Sequence, residues 1–149
     1  VGFMCGFFDL LHDGHIDILS QAKDLCEYLI VGVGTDDFMI RRKNRTSILS
    51  YEQRVEIVKA IRYVDEVVPE NDLDKIAAYY KYGFDVMIAG EDHRMESVYI
   101  DAERELKKMG VAVVYGVILM IIATNGVPEA IVAAVLTTAI GKVLIKWRR

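Results

Sequence analysis

Short apolar runs alternate with longer amphipathic segments along the first three quarters of the chain. Val1–Phe8, Tyr28–Val33, Val64–Pro69, Asp85–Ala89 and Val111–Tyr115 read as five strands. Between the first two, Gly14–Glu27 repeats apolar residues at helical spacing, with Ile16, Leu19, Ala22 and Cys26 inward. Ser50-Tyr51-Glu52-Gln53 is a capping-box signature that opens a helix running to Tyr63. Asp72–Tyr82 and Ser97–Met109 complete the helices, the former stopped by Gly83. Tyr79, Tyr80 and Tyr82 read as helix packing. Strands that alternate with helices imply right-handed crossovers, hence an α/β fold with a Rossmann-like, doubly wound, parallel five-stranded sheet.

Residues 116–149 break this pattern. Met109–Pro128 carries no charge, and Ala130–Gly141 is a second uncharged stretch, closed by Lys146-Trp147-Arg148-Arg149. The sequence therefore divides into a domain at 1–115 and an apolar helical tail at 116–149. Each apolar piece is borderline against the roughly twenty residues a membrane span needs. Three readings of the tail stay open: contact with a membrane through its basic, Trp-bearing end, a packed helix, or an artificial junction after Tyr115.

Composition narrows the class. A chain of 149 residues with 53% hydrophobic and 27% charged positions is long enough for one sizeable core and is not disordered. The tail carries a formal charge of +3 and residues 1–115 carry −7, within a total of −4. An acidic body argues against nucleic acid as a partner. Cys5 and Cys26 have no C-x-x-C spacing and read as buried thiols, which suits a reducing cytoplasm. The alternative is membrane association through the tail. No secretory signal opens the chain, and Val1 in place of Met reads as a fragment or a trimmed start.

Candidate chemistry gathers where the first strand meets the first helix. Gly6-Phe7-Phe8-Asp9-Leu10-Leu11-His12-Asp13-Gly14-His15 puts two histidines three apart on one face of a first helical turn. Unpaired N–H groups and the helix dipole favour an anion there, and Gly14, with no Cβ, leaves room for a close approach. That combination suits a polyphosphate. Ligands in such sheets bind beyond the carboxyl ends of strands, where the strand order reverses. His12 and His15 follow the first strand and His93 the fourth, so adjacency of those strands would place all three in one crevice. For His93 a polar loop residue remains the other reading. Asp9 and Asp13 read as caps of the helix start.

With these residues in view, 1–115 resembles the small cytidylyltransferases of the glycerol-3-phosphate and phosphoethanolamine type. The resemblance rests on Gly6–His15, on Tyr28-Leu29-Ile30-Val31-Gly32-Val33 followed by Thr35-Asp36, and on the basic cluster Arg41–Arg45. It continues through Tyr51-Glu52-Gln53-Arg54, Ile61–Val68 and Gly90-Glu91-Asp92-His93. What it implies is CMP transfer from CTP to a small phosphorylated alcohol with release of pyrophosphate, by a homodimer. Mg2+ would come bound to the nucleotide, with no protein metal site. By the same resemblance His12, His15, Lys43 and Arg54 would be catalytic. Gly6, Phe7, Phe8, Gly14, Gly90 and Asp92 would join the histidines in binding nucleotide, and Asp36, Lys43 and Arg45 would bind the acceptor, with Arg42 a neighbouring cation. For Arg54 the competing reading is a surface ion pair with Glu52 or Glu56.

Two departures stand out. Phe7 replaces the family's frequent Thr or Val, which removes a hydroxyl and keeps a backbone donor. After Val114-Tyr115 the family has an R-T-x-G-I-S-T-T segment, and Gly116–Ile122 does not match it; Thr137-Thr138 is no substitute. The competing reading is therefore a nucleotide-binding or membrane-attached remnant without turnover.

Overall fold

Along the first strand, β1 (Gly2–Gly6), Phe3 and Met4 point to opposite faces, and each seeds a different core. The computed structural model describes residues 1–116. The readings of the tail and of the segment after Tyr115 therefore fall almost wholly on 117–149, outside the described residues.

After β1 come α1 (Asp13–Asp24), β2 (Leu29–Gly34), α2 (Asp36–Lys43), α3 (Tyr51–Lys59) and β3 (Glu66–Glu70). The order continues with α4 (Lys75–Tyr82), β4 (Val86–Ala89), a 3₁₀ turn at Glu91–His93, α5 (Ser97–Lys108) and β5 (Ala112–Tyr115). All five expected strands form one sheet in the order β3-β2-β1-β4-β5, and each of the four pairings is parallel. Strand order reverses between β1 and β4, which pair through Gly2 with Val86 and Phe3 with Met87. That switch point is where a crevice opens.

On one face Met4, Val31 and Ile88 pack against Leu19 and Ala22 of α1 and Val58 of α3. On the other, Phe3, Ile30 and Met87 pack against Ala78 of α4 and Tyr99 and Leu106 of α5. Covering both faces is what a parallel sheet requires. Among the described residues no helix is long and apolar enough to cross a membrane.

Three expectations need correction. No helix was expected between the second strand and Ser50, yet Arg41, Arg42 and Lys43 form the last turn of α2, with Thr35 as N-cap, Asn44 in the left-handed region as C-cap and Arg45 just beyond. Cys5 and Cys26 are only partly buried. Tyr79 and Tyr82 pack against the core, with Tyr82 stacked on Phe3 at 5.8 Å, but Tyr80 is exposed.

Candidate active site

The first turn of α1 is organised by its own histidines. His12 is the N-cap and its Nδ1 accepts from the Gly14 N–H at 3.2 Å. His15 sits at the third helical position and its Nδ1 accepts from the His12 N–H at 3.3 Å. This is a capping box built from two imidazoles instead of a hydroxyl and a carboxyl. An Nδ1 that accepts carries no proton, so each neutral ring holds its proton on Nε2. The rings lie 4.1 Å apart between centroids, and both Nε2–H edges are left as donors. Burial, and secondarily the neighbouring His12, hold the His15 pKa below the ordinary imidazole value.

The helix N-terminus consequently differs from the expectation. The Gly14 and His12 N–H groups are engaged by imidazoles, so imidazole edges stand in front of those two backbone donors. A Cβ on Gly14 would lie 3.0 Å from the His12 ring, so the missing side chain makes room for that ring and not for a ligand. Asp13 does accept from Gly14 N–H at 2.9 Å. Asp9 does not cap α1; it accepts from the Ile48 and Leu49 N–H groups and ties the β1–α1 turn to the approach to α3.

That turn is strained. Phe8 and Leu10 have φ of 52° and 54°, in the region that favours glycine, at a cost of about 1–3 kcal/mol each. Arg54 holds it in place. Fully buried, Arg54 donates to the carbonyls of Phe7 at 2.7 Å, Gly34 at 2.6 Å and Leu49 at 3.2 Å, and pairs with Asp36. Arg54 is therefore no surface partner of Glu52 or Glu56. It is a buried clamp joining the ends of β1 and β2 to the starts of α2 and α3. Asp36 is likewise used internally, accepting from Ser47 Oγ and the Tyr51 N–H as well as from Arg54. Burial would raise its pKa, but these hydrogen bonds and the Arg54 charge outweigh burial and lower it.

A cavity of about 420 Å³ opens beside this turn. Gly6, Phe7, Phe8 and His15 line it from β1 and α1; Arg42, Lys43 and Arg45 line it from α2 and its exit. Asp92, His93 and Glu96 form the wall after β4. With β1 beside β4, His15 and His93 share one crevice as expected, while the His12 ring, tilted against that of His15, does not line it. Gly14, Asp36, Arg54 and Gly90 also lie off the lining. Gly90 serves Asp92 instead: a Cβ there would lie 2.3 Å from the Asp92 carboxylate. Phe7 has its own reason, since its ring lies over Gly34, 2.4 Å from where a Cβ would stand, and 5.2 Å from Phe38.

The cations are deployed unequally. Arg42 pairs with Glu96 across the cavity, and Glu96 also binds His93 Nδ1 at 2.8 Å. Burial would raise the Glu96 pKa; the His93 hydrogen bond and the Arg42 charge lower it overall. Lys43 lies 5.4 Å from the Phe7 ring centroid, and among the described residues neither it nor Arg45 has a carboxylate partner. Cys5, Glu70, Lys75 and Tyr99, none of them a sequence candidate, complete the floor. Glu70 and Lys75 are five positions apart and meet Cys5 only through the sheet, so no local spacing signals them.

Comparison with known proteins places this geometry. A family model described as cytidylyltransferase-like matches residues 3–133. A glycerol-3-phosphate cytidylyltransferase of Bacillus subtilis (strain 168) is 44% identical over 88 residues, 58% of this chain and 67% of that protein. An FAD synthase of Pyrococcus horikoshii is 40% identical over 112 residues, 72% of each chain. The crystal structure of a lipopolysaccharide core biosynthesis protein from Thermoplasma volcanium GSS1 superimposes with a TM-score of 0.64 at 24% identity, over 76% of this chain and 91% of that one. At that identity the last likeness speaks for the fold alone.

Proposed function

The chain belongs to the cytidylyltransferase-like family of nucleotidyltransferases, and from that membership we propose that it transfers CMP from CTP to the phosphate of a small alcohol phosphate. The observation that carries the reading is that one cavity is lined both by His15 of α1, whose ring lies 4.1 Å from that of His12, and by Lys43 and Arg45 at the end of α2, which have no carboxylate partner among the described residues. An acceptor phosphate oxygen attacks the α-phosphorus, a new P–O bond forms, and the bond to the β-phosphate oxygen breaks to release pyrophosphate. Both reactants are anions, so rate comes from alignment and from neutralising charge, without a covalent nucleophile. His15, backed by His12, donates to phosphate oxygens as charge grows at the α-phosphate. Lys43 and Arg45 hold the acceptor phosphate. Arg54 acts through the turn that it clamps and touches no reactant.

Mg2+ enters this proposal on the nucleotide. Of the cavity's carboxylates, Asp9 accepts backbone N–H groups, while Glu70 and Glu96 are held by Lys75 and Arg42. Among the described residues Asp92 has only a 3.8 Å contact with His93 Nε2. One unengaged carboxylate fits an ion that arrives on phosphates with its own waters better than one caged by protein. When bound, that ion would supply charge neutralisation.

The name of the Bacillus subtilis relative supports CTP and glycerol 3-phosphate; the FAD synthase relative is why ATP belongs in the same assay. We further propose a homodimer in the cytoplasm, as the family resemblance implies, which light scattering would test for assembly. The test of transfer is pyrophosphate release with CTP and glycerol 3-phosphate. Release dependent on both substrates supports the reading. CTP binding without release from any acceptor supports the remnant without turnover, the reading that the lack of an R-T-x-G-I-S-T-T motif after Tyr115 favours.

A further inference from the structure

The basic side chains that end α2 are held in three different ways. Arg41 donates to the Asn71 carbonyl at 2.6 Å, and Arg42 pairs with Glu96. Lys43 is exposed and forms no ion pair with a described residue; its ammonium stands 5.4 Å from the centre of the Phe7 ring. Both Lys43 and Phe7 line the cavity. The ring is not free to swing away. It lies over Gly34, where a Cβ would stand 2.4 Å from it, and its centre is 5.2 Å from that of the buried Phe38. The Phe7 carbonyl accepts from Arg54 at 2.7 Å, one residue before the left-handed conformation of Phe8. Backbone and side chain of Phe7 are thus both fixed.

Packing accounts for the ring but not for the lysine over it. A lysine ammonium is strongly hydrated and sits on a flexible four-carbon stem, so at a helix end it ranges widely unless something holds it. A carboxylate would hold it and also neutralise it, as Glu96 does to Arg42. An aromatic face attracts an ammonium through the ring quadrupole and carries no net charge. The cation therefore keeps its charge for an incoming anion. The contact also survives that anion's arrival, because an ammonium has three N–H donors and the ring covers only one side of it. Displacing water from the rim strengthens it, since cation–π contacts gain on desolvation. A hydroxyl or a short aliphatic group at position 7 offers no such face.

We infer that Phe7 is a positioning residue for the transfer: its ring holds the Lys43 ammonium at the cavity rim while leaving its charge free for the acceptor phosphate. The inference rests on the reading above, in which Lys43 takes that phosphate, and names what fixes it there. The ring acts through Lys43 and takes no part in the chemical step.

The test alters the electronics of the ring at nearly constant shape. Phe7 is replaced by mono-, di- and trifluorinated phenylalanines, each with a less negative face. With CTP and glycerol 3-phosphate, the acceptor KM is expected to climb stepwise, by about threefold to fivefold at the trifluorinated ring. Over the same series kcat and the KM for CTP should stay within about twofold. Phe7→Leu should raise the acceptor KM as far as the trifluorinated ring does, and Phe7→Tyr, which keeps the face, should restore it. Since Phe7→Leu also leaves space beside Gly34 and Phe38, the fluorinated rings decide if that variant unfolds. In Lys43→Met protein fluorination should have no effect, because the coupled partner is gone. An acceptor KM indifferent to fluorination, or a fluorine effect that persists without Lys43, overturns the inference.

The contact has a readout of its own that needs no turnover. In proton NMR the Lys43 methylene next to the ammonium should lie upfield of the other lysines through the Phe7 ring current, and should return in Phe7→Leu. Ordinary positions in the wild type overturn the inference whatever the kinetics. Pyrophosphate release from no acceptor, with CTP or with ATP, would instead overturn transfer and this use of Lys43 with it, while the upfield signals would still report the contact.

Discussion

At the β1–α1 corner Asp9, Arg54 and the Nδ1 edges of both imidazoles are tied down, whereas the last turn of α2 holds its cations out at the cavity rim. The corner has two residues in the left-handed region, a fully buried arginine on three carbonyls, and imidazoles fixed by their own helix. Across the cavity, Lys43 and Arg45 are long exposed side chains, and Arg42 is held only by a partly exposed Glu96. The difference separates two jobs. Groups that must face charge developing in a transition state gain from being fixed beforehand. Groups that collect an anion from solution act through field and reach, which exposed cations provide.

The comparison breaks first at His15. His15→Ala should lose roughly 10²–10⁴-fold in kcat for pyrophosphate release, the range for one positioned donor or proton-transfer group. Its stability should fall by only about 1 kcal/mol, the worth of a helix cap, in urea unfolding. Arg54→Leu should do the reverse. It strands carbonyls and Asp36, so about 3–5 kcal/mol of stability is expected to go, and activity should follow the folded fraction. A smaller effect belongs to the rim: Lys43→Ala or Arg45→Ala should raise the acceptor KM by about tenfold at low salt, less at high salt, with an unchanged unfolding midpoint.

The smallest effect is one of pH. The folded protein holds His15 below its ordinary value of 6.5 through burial, so below that value the unfolded chain takes up a proton more readily. The stability associated with neutral His15 is full above pH 6.5 and is lost as pH falls through the folded value. Urea midpoints measured downward from neutrality should fall less in His15→Gln than in the wild type.

Much of this frame was legible before the fold. Five apolar runs with helices between them are enough for a doubly wound parallel sheet, whereas the adjacency of β1 and β4 was only a condition of the shared crevice until the fold supplied it. Ser50 and Gln53 also form the capping box their spacing announced. Helix α2 was not legible: Arg41-Arg42-Lys43 dominates a segment in which only Phe38 and Met39 are buried, although Thr35-Asp36-Asp37 is a fair N-terminal signal. Arg54 was picked out, but not its burial. In Tyr51-Glu52-Gln53-Arg54-Val55 a charged residue looks exposed, and only the convergence of Phe7, Gly34 and Leu49 carbonyls reveals its burial. Glu70 and Lys75 had no local mark at all, since their partners Cys5 and Tyr99 come from β1 and α5.

The histidine pair as nucleotide cradle is the central claim, and imidazole nitrogen NMR reads it directly. The chain has three histidines, so His12→Gln, His15→Gln and His93→Gln assign every ring. In the free protein His12 and His15 should both show Nε2–H at neutral pH, and His15 should titrate below the ordinary imidazole value. Saturating CTP with Mg2+ should move both Nε2 signals and raise the His15 titration midpoint, because phosphate oxygens stabilise the protonated ring. Nε2 signals of His12 and His15 that stay in place while backbone resonances elsewhere respond to CTP would contradict the account.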